Sequence, residues 1–165
     1  MERQYIRYQS SRLKAPCTFL YPADWQAREI AENGYVEVFV AGPRNSENTY
    51  STSFTVGVTG QADQTPLEAA TALLSKFRSA FASQIVGPIA ATVAGNSAVA
   101  VEITYDMPLP LNSIKPRLTP IRERSVFFRR GNQLYELDYA APAEDYEAWL
   151  GAFRTLVESF AFQEQ

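Results

Sequence analysis

Histidine is absent from this chain of 165 residues, and cysteine occurs once, at Cys17. Without an imidazole there is no Ser-His-Asp or Cys-His pair, no imidazole general base and no conventional zinc site. A lone cysteine excludes an internal disulfide, and Cys17, lying between Pro16 and the apolar run that follows, is expected to be a buried thiol rather than a nucleophile. Neither a GxxxxGK[ST] phosphate loop nor a GxGxxG fingerprint occurs; Gly57 and Gly60 lack a third glycine. No apolar run approaches the ~18 residues of a membrane-spanning helix. The opening MERQYIRYQSSRLKAP has no apolar signal region, so the expected location is the cytoplasm if Met1 is the native start. These absences favour a non-enzymatic protein with no cofactor and no metal.

What is present suits a globular α+β domain. A chain of this size buries roughly 70% of its unfolded surface, and 46% hydrophobic and 13% aromatic residues supply the core for a single domain over residues 1–165. Cys17 to Pro22, Tyr35 to Ala41 and Ser51 to Thr59 have the short lengths, alternation and turn boundaries of strands. Thr65, Pro66 and Glu68 spell a capping box at the start of a helix whose apolar stripe is Leu67, Ala70, Leu73, Leu74, Phe77, Ala80 and Phe81. Tyr146, Trp149, Leu150, Phe153, Leu156, Val157 and Phe160 form the stripe of a second helix, with Glu144, Asp145 and Glu147 at its positive end.

Two hairpins stand between the helices. In each, a Gly-Asn pair, Gly95-Asn96 and Gly131-Asn132, suits a two-residue turn with glycine at the positive-φ position. Placing the second turn at Gly131-Asn132 predicts that Phe128 faces Tyr135, Val126 faces Leu137 and Arg124 faces Tyr139. With YPADW near the start, the strand leading into AGP, the hairpin AGNSAVAVEITY and the terminal block YELDYAAP to LVESFAF, the chain from about Thr18 to Phe162 resembles the PsbP-like superfamily. That superfamily includes the extrinsic oxygen-evolving-complex subunit, the Mog-type Ran-binding protein and DcrB-type domains. The resemblance implies an α/β/α sandwich, with a central, mainly antiparallel sheet of about six strands and helices on both faces. It implies no activity, since its members bind different partners.

The most unusual stretch is DMPLPLNSIKPRLTPIRER, Asp106 to Arg124, expected to be a proline-rich loop between the hairpins. Six basic residues stand against one acid from Lys115 to Arg130, and one arginine against seven acids from Gly131 to Gln165. Either the two segments neutralise each other, or the loop is a basic, apolar-edged surface for an unknown protein or peptide partner, contacting it through Leu109, Leu111, Ile114, Lys115, Arg117, Arg122 and Arg124 together with the adjacent sheet. A rival function is a small-ligand protein or enzyme, with a cavity between sheet and helix lined by Tyr105, Tyr135, Tyr139 and Arg124. Glu136 and Asp138 share a strand face, expected to be solvated with Arg129 nearby. An isoelectric point near 5.1 and the lack of an aromatic-basic motif argue against nucleic acid. An open sheet edge would permit a homodimer.

Overall fold

The computed structural model describes residues 2–9, 17–32, 35–59, 63–80 and 84–163. Strands β1 (Tyr5–Gln9) and β2 (Cys17–Pro22) join a short β10 (Ala161–Phe162) in a three-stranded sheet. The main sheet has seven strands: β3 (Gln26–Glu32), β4 (Tyr35–Arg44), β5 (Ser51–Thr59), β6 (Gln84–Val93), β7 (Asn96–Leu109), β8 (Arg117–Arg130) and β9 (Gln133–Pro142). Their spatial order is β3-β4-β5-β9-β8-β7-β6, and every ladder is antiparallel. Helix α1 (Pro66–Ala80) precedes β6, and α2 (Tyr146–Ser159) follows β9.

Strand alternation divides the main sheet's side chains between two cores. Val126 and Phe128 of β8, Tyr135, Leu137 and Tyr139 of β9, and Phe54 and Val56 of β5 pack with Phe153, Leu156 and Phe160 from α2 and its end. On the other face, Val101, Ile103, Ile121, Phe127 and Leu134 meet Ala69, Ala70 and Leu74 of α1. Adjacent Phe127 and Phe128 therefore both belong to cores, one on each side. The helices lie on opposite faces, as in the expected sandwich. Of the α1 stripe, Leu67 is exposed, because its place in the first turn lies beyond the sheet-facing side; Phe81 lies outside the described residues. The α1 start carries the Thr65 half of the expected capping box: the Glu68 amide donates to Thr65 Oγ1 at 3.1 Å.

The second hairpin has its expected register, with Phe128 opposite Tyr135, Val126 opposite Leu137 and Arg124 opposite Tyr139, around Gly131 at φ 59°. The first turn sits one residue earlier than expected, on Ala94-Gly95, both with positive φ, so that Val93 pairs with Asn96. Asn96 serves as the first strand residue: its amide Nδ2 donates to the Val93 and Ala94 carbonyls at 3.3 and 3.2 Å, which ties the turn. This shift changes each pairing by two residues and so leaves every side chain on its expected face. Gly42 in the AGP segment has a packing reason, since a Cβ there would stand 2.6 Å from the indole of buried Trp25.

Candidate functional site at the ribbon tip and the cleft beside α1

The stretch from Asp106 to Arg124 is not a long loop. β7 continues to Leu109 and β8 begins at Arg117, which leaves residues 110–116 as the connection. Asp106 pairs with Pro120 and Pro108 with Leu118. The prolines are tolerated because this part is a two-stranded ribbon: β6 reaches only Thr104, and β9 ends its ladder at Ile121. Each ribbon strand has an outer side with no ladder, where a missing N–H costs nothing.

The expected contact residues divide along this ribbon. Leu109 is buried, whereas Leu111, Ile114 and Leu118 at the tip are 67%, 98% and 64% exposed. Lys115 is exposed beside them. Arg117 donates to Glu47 Oε1 at 2.5 Å from the neighbouring loop. Arg122 and Arg124 lie at the root and face α2. Arg122 Nε donates to Glu102 Oε1 at 2.7 Å, its Nη1 reaches Glu147 at 3.1 Å, and its guanidinium lies 4.1 Å from the centre of the Tyr146 ring. Arg124 is 3.5 Å from the other Glu102 oxygen, which also accepts from Tyr146 Oη at 2.9 Å. Among the described residues, charges of the basic and acidic segments thus meet directly only at Arg122–Glu147; the root cations are held mainly by Glu102 of β7, an anchor that charge counting overlooked.

The tyrosines of the rival cavity do not converge. Tyr135 and Tyr139 are fully buried in the α2 core, where the Tyr139 hydroxyl donates to the Tyr146 carbonyl at 2.6 Å. Tyr105 lies on the opposite face, where its hydroxyl donates to Glu123 Oε1 at 2.5 Å. Arg124 shares the α2 face with Tyr139.

On the α1 face a different arrangement appears. α1 covers β6, β7 and β8, and beside it runs a cleft of about 300 Å³ lined by Ala69, Leu73, Lys76, Phe127, Leu134 and Glu136. Glu136 and Asp138 are half-buried rather than fully solvated, Glu136 lining the cleft and Asp138 Oδ1 sealed from solvent with no hydrogen-bond partner among the described residues. Arg129 turns away to the Gln64 and Gly131 carbonyls. Burial pushes the Asp138 carboxyl well above its ordinary range, and the nearby Glu136 charge adds to this. Burial also raises Glu136, although its hydrogen bond from Asp138 opposes the rise. Burial raises Glu123 as well, against the pull of the Tyr105 hydroxyl and the Lys76 charge. Ser125, buried, sits opposite Asp138, a pairing that the second hairpin's register implies once its turn is placed. Cys17 is buried, and burial pushes its thiol up to about 12.

No family model matches the chain, and no curated protein matches it. Among solved structures, cyanobacterial PsbP from Synechocystis sp. PCC 6803 aligns at a TM-score of 0.61 with 12% identity, covering 99% of this chain and 95% of its own. The chain has a PsbP-like fold. PA94 of Pseudomonas aeruginosa, a protein of unknown function, aligns at 0.61 with 12% identity over 98% and 99% of the two chains. LpqN, involved in cell envelope biogenesis of Mycobacterium tuberculosis, aligns at 0.60 with 17% identity over 98% and 92%. Across this PsbP-like fold, no helix among the described residues is long and apolar enough to cross a membrane, and no cluster of three or more His, Cys, Asp or Glu among them could hold a metal ion.

Proposed function

We propose that the chain is a non-enzymatic accessory domain that engages a protein or peptide partner through the tip of its β7–β8 ribbon. The observation that carries this reading is the exposure of Leu111, Ile114 and Leu118 together on residues 110–118. Aliphatic side chains there lose roughly 25 cal/mol per Å² relative to burial, and a group of them on one projecting element is characteristic of an interaction surface. Two cations and no acid lie between Pro110 and Pro120, which adds a preference for an acidic rim on the partner. Arg122 and Arg124 hold the ribbon's root, and Leu109 is buried, so Leu111, Ile114, Lys115 and Arg117 remain of the expected contact set, and Leu118 joins them.

The test compares the full chain with the triple variant Leu111→Ser, Ile114→Ser and Leu118→Ser in co-purification from the native host. Loss of specific partners with an unchanged melting temperature is expected; an identical partner set would overturn the reading. The rival small-ligand reading rests on the cleft beside α1, which Lys76 and Glu136 line. A thermal shift on adding a metabolite, abolished by Leu73→Trp and untouched by the ribbon variant, would favour it instead.

A further inference from the structure

α2 packs mainly on β2 and β9, and the side chains of the sheet become smaller beyond it, toward β6. On the α2 face β8 carries Val126 and Phe128, whereas β7 carries Ala100 and Ala98 beside them, and β6 carries Ala91 opposite Ala98. The step from large to small residues leaves a groove of about 230 Å³ along the flank of α2. Arg124 and Val126 of β8 form its floor, Arg154, Val157 and Glu158 of α2 one wall, and Ala91 the far lip.

Two guanidinium groups thus line one groove from different elements, and both have donors to spare. Glu102 is taken first by Arg122, whose Nη2 stands 2.5 Å from Oε1, while Oε2 accepts the Tyr146 hydroxyl at 2.9 Å. Arg124 keeps only a contact of 3.5 Å to that second oxygen, with its side chain 32% exposed. Arg154 is exposed and makes no ion pair or hydrogen bond among the described residues. A guanidinium presents its donors in a planar fork that matches a carboxylate. Apolar walls with a few convergent polar groups are the common make-up of a small-ligand site, and here Val126, Val157 and Ala91 supply the apolar part.

Glu158 selects the charge of the ligand. It lies one helical turn from Arg154 and lines the same groove, so the second negative charge of a dianion meets a carboxylate there. Two arginines against one acid suit a single negative charge.

We propose that this groove binds a small-molecule monocarboxylate with an apolar chain, its carboxylate held between Arg124 and Arg154 and its chain lying on Val126 and Val157. The groove is separate from the ribbon tip and lies on the other face of the sheet from the cleft beside α1, so the proposal stands or falls independently of the protein-partner reading.

Isothermal titration calorimetry of the full chain with sodium octanoate, in mildly alkaline buffer, reads the outcome. Octanoate is expected to bind one to one, octanol not to bind, and octyl phosphate, a dianion, to bind more weakly than octanoate. Arg154→Gln, at an exposed position, should weaken octanoate at least tenfold at an unchanged melting temperature. Ala91→Phe, which fills the groove from a half-buried edge position, should weaken it as much, and Glu158→Gln should bring octyl phosphate level with octanoate. A wild type that shows no saturable binding of octanoate would overturn the proposal, as would octanol binding equally tightly. So would octanoate binding that survives Arg154→Gln and is lost in Leu73→Trp, which would put the ligand beside α1.

Discussion

Asp138 is a carboxyl placed where a charge is costly. Its ordinary value is near 3.8, and burial together with the Glu136 charge raises it in the folded chain. Between those two values the folded chain holds a proton that the unfolded chain has released, so stability falls as pH rises through that interval. Glu136 and Glu123, also raised, act in the same direction, and Lys76 opposes at Glu123. Asp138→Asn should therefore flatten the decline, giving a melting temperature at neutral pH equal to or above that of wild type, with little change in acid. Thermal melts from acid to neutral pH would check this; a wild type whose stability rises over that range would contradict it. The burial of this pair was not legible from alternation, which places Glu136 and Asp138 on one face without saying what lies above it. What covers a face is set by where α1 packs, and the strand neighbours were recoverable only in part: the turn at Gly131-Asn132 sets Ser125 opposite Asp138, but nothing local to β9 announces β5 on its other side.

Among the elements, the β7–β8 ribbon departs most from its reading in sequence. Four prolines between Asp106 and Arg124 look like a loop because proline is usually a strand breaker. In a two-stranded ribbon that rule lapses, and the strands run on past the sheet. What holds the ribbon's root is Glu102, which is only 12% exposed at its side chain and receives Arg122, Arg124 and the Tyr146 hydroxyl. Glu102→Ala leaves two arginines and a buried hydroxyl without their acceptor. A loss of about 2–3 kcal/mol in urea denaturation is expected, more than for Arg117→Ala, whose pair with Glu47 is exposed and worth little. The helices, by contrast, were legible almost residue by residue, since a 3.6-residue stripe and a capping box are local signals; Leu67 departs because stripe membership does not say how far the sheet extends.

At the scale of the molecule, the middle of the sheet and its ends differ in kind. β9 is laddered on both sides and packed on its α2 face beneath α2, whereas residues 110–116 form the connection at the far end of the ribbon. Amide exchange should accordingly be slowest in β5, β8 from Ile121 onward, and β9, approaching the global unfolding limit, and fastest at the ribbon tip. Comparable protection of residues 110–116 in the isolated chain would mean that the tip packs on something, and would weaken the case for a free contact surface. The expected layering of helices on both faces is present, with seven strands where about six were expected, because the charged edge strand β3 carries little of the apolar alternation by which strands are found.

The two tryptophans of the chain, Trp25 and Trp149, lie 5.2 Å apart, one against Gly42 and Phe54 and the other on α2. The intrinsic emission of the protein is therefore an optical gauge of a single seam, where α2 closes over the β3–β5 end of the sheet. It will brighten, quench or shift when that seam opens, and it will stay silent to a ligand beside α1 or a partner at the ribbon tip unless binding is relayed across the sheet. A fluorescence titration without signal is consequently no sign of a protein that binds nothing, and a reporter placed at residue 112 would see what the native indoles do not.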